Sequence, residues 1–398
     1  MSTSVKFLHS GMTGAPGWSN AADSSIGVLD AALVNGFNER TATGISVSGG
    51  VATMTLPSGH GFEVDSVVLV SGSTPSALNG EKRVLTTAAT TITFDATGVS
   101  DGAASGTILV RYAPLGWAKA FTGTNAAAYR STDPTATQMF LGLSGDNGTA
   151  SVNTIGYESM SSATVGTGPF PASGTRVWPK ASGSNPAPWL IIGDSKTFYV
   201  LRQYASSGNF ASGSVFGFGD FVSFSAVDGY RCFNSVFTGT SNFSNGSPAG
   251  VSSNYGDLAL SDSDSAEVGC SAPRSRSGVA GAVSLIKTLE SYNGTAATVV
   301  SGGTTNPGGT AFANYPAPAN QGLILSRVIL AEGGGPRGYL RGLFHTPQNA
   351  HTAFNQMDRV TGQGAFAGRK LMALKCGSSA GTTSQGVVFV DITGPWES

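Results

Sequence analysis

VATMTLPSGHGFEVDSVVLVSGSTPSALNGEKRVLTTAATTITFDATG, residues 51–98, decides the fold class of this chain. Its apolar residues come in short runs rich in Val, Ile, Thr and Phe, and each run is broken by Gly, Pro or Asn-Gly. Runs of that composition between turn residues read as β-strands. The neighbouring stretches ISVSGG before it and SGTILVRYA after it continue the pattern, so residues 44–112 are expected to form one unit. A small closed β-barrel is the economical expectation, because closure removes exposed strand edges.

Outward from this unit, the rest of the chain reads as a mainly β, sandwich-like body made of residues 1–43 and 113–398, with the barrel inserted. Before the barrel, Ile26, Leu29 and Leu33 recur at helical spacing, with Asn20 or Asp23 as a cap and Gly36 at the end. That predicts one short helix over about residues 24–34. After the barrel, residues 114–131 return to the body with Trp117, Phe121 and Tyr129, and strands follow at 138–143 and 151–158. GTGPFPASGTRVWPKASGSNPAPW (166–189) reads as a long ordered loop. WLIIGD and FYVLRQYA predict a hairpin around GDSKT, and further strands are expected at 215–226, 230–237, 322–331, 371–375 and 387–392. Residues 238–281, rich in Ser, Asn and Gly, read as a surface loop.

Composition narrows the function. Only 11% of the 398 residues are charged, against about 25% in an average domain, and the formal net charge is -1. Lys and Arg are scattered and give no basic stripe for nucleic acid. With weak self-repulsion, the surface suits association with copies of itself or with other proteins. Cys232, Cys270 and Cys376 have neither CxxC spacing nor a disulfide pattern, so they are expected to be reduced and buried. No signal peptide and no apolar membrane span is read, which predicts synthesis and folding in a cytoplasm.

The order of elements in residues 51–98 resembles the small β-barrel of the FCCH-like domain, which recurs in virion proteins of tailed bacteriophages. The matching elements are the strand ending at Leu56, GHGF at 59–62, VDSVVLVSG, LNG at 78–80 and TITFD. KFLHSGMTGAP and VLDAALVNGF at the start look like the opening of a family of phage structural proteins. GTGPFP, WPK, WLIIGD and FYVL look like its middle, and RGYLRGLFHTPQN, GQGAFAGRKLM and VDITGPW like its end. The resemblance implies a virion component of the tail, tail tip or baseplate, made in the bacterial host cytoplasm. It implies no ubiquitin chemistry, since the barrel segment has no cysteine.

Candidate chemistry is sparse. His345 and His351 in HTPQNAH lack metal-ligand spacing. Asp194, Ser195 and Lys196 are explained by a turn, and AEGGGPRG (331–338) is a turn rather than a phosphate loop. Asp257, Asp262, Asp264 and Glu267 offer oxygen ligands for Ca²⁺, but out of register for a DxDxDG loop. No catalytic, cofactor or metal residue is assigned. Trp18, Trp117, Trp178, Trp189 and Trp396 are candidate interface anchors, since large aromatics dominate interface hot spots; core packing is the competing reading for each.

The expectation is therefore a non-enzymatic structural subunit of a tailed-phage virion, with itself and other virion proteins as partners. Two alternatives stay open: an adhesin of the tail that contacts the host surface, and a head-decoration protein.

Overall fold

The computed structural model of the chain describes residues 2–174, 176–181, 183–203, 210, 213–237, 268–274, 283–289, 298–299, 313–318, 320–332, 335–346, 348–350, 352–376 and 386–397. The fold is mainly β with one short helix. Strand β1 (Lys6–His9) leads through the GMTG turns to helix α1 (Ser24–Leu29), which continues as a π-helical turn over Asp30–Asn35. Ile26, Val28, Leu29, Ala32 and Leu33 are buried, as the helical spacing requires.

The inserted unit is one antiparallel sheet. Its strands are β2 (Phe37–Thr41), β3 (Gly44–Ser48), β4 (Val51–Thr55), β5 (Val67–Ser71), β6 (Gly80–Thr87), β7 (Thr91–Asp95), β8 (Gly102–Ala103) and β9 (Leu109–Tyr112). They lie in the order β2-β9-β5-β6-β7-β4-β3-β8. Alternate residues point inward: Ile45 and Val47, Ala52 and Met54, Ile92 and Phe94, Val110 and Tyr112 are all buried. Period-two alternation with one buried face specifies this register.

One boundary is corrected here. The sheet starts at Phe37 rather than Gly44, because the polar run FNERT forms an edge strand that its composition does not announce. The sheet curls into a half-barrel as the barrel expectation requires, with β3 paired to β4 on one side and to β8 on the other. β8 pairs with β3 in the register that continues β9–β2, and the bridge between Thr74 and Ser105 extends the β5–β9 pairing.

The body begins with β10 (Trp117–Gly123), β11 (Ala126–Ser131), β12 (Phe140–Ser144), β13 (Ser151–Met160), β14 (Gly166–Phe170) and β15 (Val177–Pro179). The last two lie inside the stretch expected to be loop. They pair with opposite ends of one side of β13, whose length lets two short Pro-containing strands share it. Next come β16 (Trp189–Gly193), β17 (Thr197–Arg202), β18 (Ser214–Asp220), β19 (Val222–Ser223), β20 (Cys232–Phe237) and β21 (Val268–Ala272). The expected GDSKT hairpin is β16–β17, with Trp189 opposite Arg202.

β22 (Val283–Leu289), β23 (Thr298–Val299), β24 (Ala313–Asn314), β25 (Ser326–Glu332), β26 (Gly335–His345), β27 (Gln348–Asn349), β28 (Arg359–Thr361), β29 (Lys370–Cys376) and β30 (Gly386–Asp391) complete the chain. β28, β29, β30, β26, β25 and β22 run side by side as a second layer. It joins the first at two corners, where β19 leaves β18 to pair with β26, and where β22 pairs with both β21 and β25.

β16, β17 and β18 are buried along their whole length because both faces are covered. On one face Phe198 and Phe218 meet Trp117 from β10, and Phe198 and Phe216 meet Trp178 from β15. On the other, Tyr199 packs on Trp396 and donates from its hydroxyl to the Arg341 carbonyl at 2.8 Å. Both faces belong to one continuous core.

Candidate functional site

Two regions concentrate polar chemistry: the joint between half-barrel and body, and a cleft beside the second layer. At the joint, the GHGF motif closes the barrel end. His60 bonds the Ala88 carbonyl through Nε2 at 2.8 Å and accepts from the Phe62 N–H at Nδ1, while Tyr112 donates to the Gly61 carbonyl at 2.6 Å. Gly61 has φ 69° and lies against Thr13 of the GMTG turn, where any Cβ would sit 2.0 Å from Thr13 Oγ1. Only glycine combines that φ with that approach.

Ion pairs then cross the joint. Lys6 meets Glu81 at 2.8 Å, Arg359 meets Glu63 at 3.4 Å and Asp65 at 3.3 Å, and Lys370 meets Asp65 at 2.6 Å. His9 Nδ1 accepts from the Gly11 N–H, so Nε2 carries the proton facing Glu63 at 3.0 Å. Burial works to raise the Glu63 carboxyl, but the His9 hydrogen bond and the charges of His9 and Arg359 hold it below its usual range. Arg83 of the half-barrel donates to the carbonyls of Ser2, Val5 and Thr393, gripping the N-terminal and C-terminal segments of the body together.

Inside the body lie further pairs. Lys180 and Asp146 are fully buried at 2.5 Å, Arg337 and Asp228 are buried at 2.9 Å, and Arg341 and Asp194 at 2.8 Å. Arg202 stacks on Trp18 and donates to three carbonyls, and burial draws its guanidinium down to about 9. Charged groups are rarely fully buried unless paired, and here Lys6, Asp65, Arg83, Asp146, Lys180, Asp194, Arg202, Asp220, Asp228, Arg337, Arg341 and Asp391 are all buried. None of these partnerships is visible in sequence spacing. The available signal is arginine inside an apolar strand of a charge-poor chain, as in RGYLRG.

The cleft has a volume of about 310 Å³ and is lined by Leu325, Leu340, Phe344, Phe366, Tyr339 and Trp396, with Arg327, Arg369, Asp391 and Glu397 around them. Glu397 is held by Arg327 at 2.8 Å and by the Tyr339 hydroxyl, and Asp391 by Arg369. Burial and the Glu397 bond push the Tyr339 phenol up to about 12. With each carboxylate engaged by a guanidinium, the cleft offers paired charges around an apolar floor, a surface suited to contact.

The candidate anchors Trp18, Trp117, Trp178, Trp189 and Trp396 are between 0% and 5% exposed. Each indole N–H donates within the chain: to Ser25 Oγ, and to the carbonyls of Asp194, Ser235, Pro16 and Asp391 respectively. Trp18, Trp117, Trp178 and Trp189 therefore serve core packing in the isolated chain, while Trp396 packs on Tyr199 and also lines the cleft. Asp194 accepts from the N–H groups of Lys196 and Thr197 as well as pairing with Arg341, which accounts for the GDSKT turn structurally. The strands flanking AEGGGPRG pair with Glu332 opposite Gly335. His345 is buried in the second layer. His351 and the Asp257–Glu267 stretch weighed for Ca²⁺ lie outside the described residues. Cys232 and Cys270 are buried, and burial raises the Cys232 thiol well above its usual range. Among the described residues no group of three or more His, Cys, Asp or Glu could hold a metal ion, and no helix is long and apolar enough to cross a membrane.

The fold and these sites define a mainly β protein with an inserted half-barrel fixed to a layered body. No family model and no curated protein matches the chain.

Proposed function

We propose that this chain is a non-enzymatic structural subunit of a tailed-phage virion, in the tail, tail tip or baseplate, working through contacts with copies of itself and with other virion proteins. One observation carries the reading: a chain with only 11% charged residues places many of them inside, in the joint and in buried pairs. The exterior of so charge-poor a chain still carries few ions for its size. Burying such a surface against a neighbour removes few ions from water, so the desolvation cost of assembly is low. The joint pairs hold half-barrel and body together, as a building part requires. The resemblance of GHGF, LNG and the flanking motifs to phage structural proteins supplies the kind of particle.

The test is mass spectrometry of purified tailed particles from a host carrying this chain. The chain is expected at a fixed multiple copy number. Its absence from the particles, together with a monomer in solution at high concentration, would overturn the reading.

A further inference from the structure

Four large apolar side chains are exposed among the described residues: Val51, Val165, Phe224 and Val227. Two of them share one turn, between β19 and β20, with Phe224 52% and Val227 91% exposed. Single exposed apolar residues need no explanation, but two on one tip do.

The turn is fixed from beneath. Asp228 accepts from Arg337 Nε at 2.9 Å and Nη2 at 3.0 Å, and also from Ser223 Oγ and the Tyr230 N–H. The Phe224 N–H donates to the Arg337 carbonyl at 2.9 Å. A buried ion pair of this kind is weak evidence for added stability; here it specifies one conformation of an exposed apolar tip. A contact element held rigid in advance loses little entropy when it binds.

The tip also adjoins a recess. The Phe224 ring lies 5.8 Å from that of Tyr339, which lines the 310 Å³ cleft with Leu325, Leu340, Phe344 and Phe366. On the rim Arg327 and Glu397 are about half exposed.

We propose that this patch is a two-fold contact between copies of the chain, in which the Phe224–Val227 turn of each copy enters the cleft of the other. A projection and a recess side by side on one patch are what a self-complementary, isologous interface needs. A rim with one cation and one anion presents each sign to its opposite after a two-fold rotation, and the near-neutral chain adds little repulsion. Stable interfaces bury about 800 Å² per partner, so turn and cleft form the centre, and the charge-poor surface around them forms the rim. The proposal rests on the reading of the chain as an assembling subunit and names the face it uses.

The test is light scattering after size exclusion of the full chain over a concentration series. The wild type is expected to be dimeric or a multiple of a dimer. A Phe224→Asp/Val227→Asp variant with unchanged circular dichroism and melting is expected to associate at least tenfold more weakly. Ala365→Trp, which fills the cleft without touching the turn, is expected to do the same, while Val165→Asp leaves association unchanged. A wild type that associates as strongly as both turn and cleft variants would sink this contact and leave the subunit reading standing. A wild type that is monomeric throughout sinks it too, and particle mass spectrometry then decides the subunit reading separately.

Discussion

Trp178 carries a fully buried indole whose N–H donates to the Ser235 carbonyl at 2.8 Å. Trp178→Ala is expected to lower the stability of the dilute monomer by about 3–5 kcal/mol, measured by denaturant unfolding. An interface anchor would instead lose association and keep its monomer stability, so the two readings separate in one titration. Gly342 makes a similar argument from the other side of the core. It has φ 65°, and a Cβ there would lie 2.2 Å from Trp396 Cε2. Gly342→Ala must both strain the backbone and displace the indole, with an expected loss of about 1–3 kcal/mol for the backbone strain, more with the lost packing, and altered Trp fluorescence. That a tryptophan was large and apolar could be read from its letter. Which surface it fills depends on strands far apart in the chain, as with Trp396 on Tyr199.

Helix α1 shows how an element is completed from outside itself. Helical spacing predicted its body, yet neither Asn20 nor Asp23 caps it: Asp23 adopts φ 57° and makes no capping bond. The cap is Asp146, 120 residues later, whose Oδ2 accepts from the Ile26 N–H at 2.9 Å while Lys180 balances its charge. Asp146→Ala is expected to cost about 3–5 kcal/mol, because it strands a buried ammonium, and Asp146→Ala/Lys180→Met to recover much of that loss. A double-mutant cycle on unfolding free energies checks both; a single variant no worse than an exposed cap deletion would refute the pairing. The half-barrel strands were legible by contrast, since alternation is a local property of each strand. LNG is legible for the same reason: Asn79 bonds both the N–H and the carbonyl of Ser73, six residues away.

The whole molecule depends on the charged joint, and acid should test it. The folded Glu63 carboxyl sits below its unfolded range, so its contribution is present above the unfolded value, near pH 4.3, and is lost as pH falls through the lower folded value. His9, Arg359 and the neighbouring Asp65, Lys370 and Arg83 face the same site. Unfolding free energy is expected to fall between pH 5 and pH 3, and Glu63→Gln to flatten that fall; an unchanged slope in the variant would place the acid sensitivity elsewhere. Taken by itself, the chain's order of residues determined the β character, the inserted unit, the short helix and the scarcity of charge, because alternation, helical period, turn chemistry and composition are all local or additive. Tertiary structure alone decided how the half-barrel curls, that the five tryptophans are buried, and that many of the few charges meet in the joint, the core and the cleft. Those outcomes are pairings between residues tens to hundreds of positions apart, and only folding brings such partners within reach of a hydrogen bond.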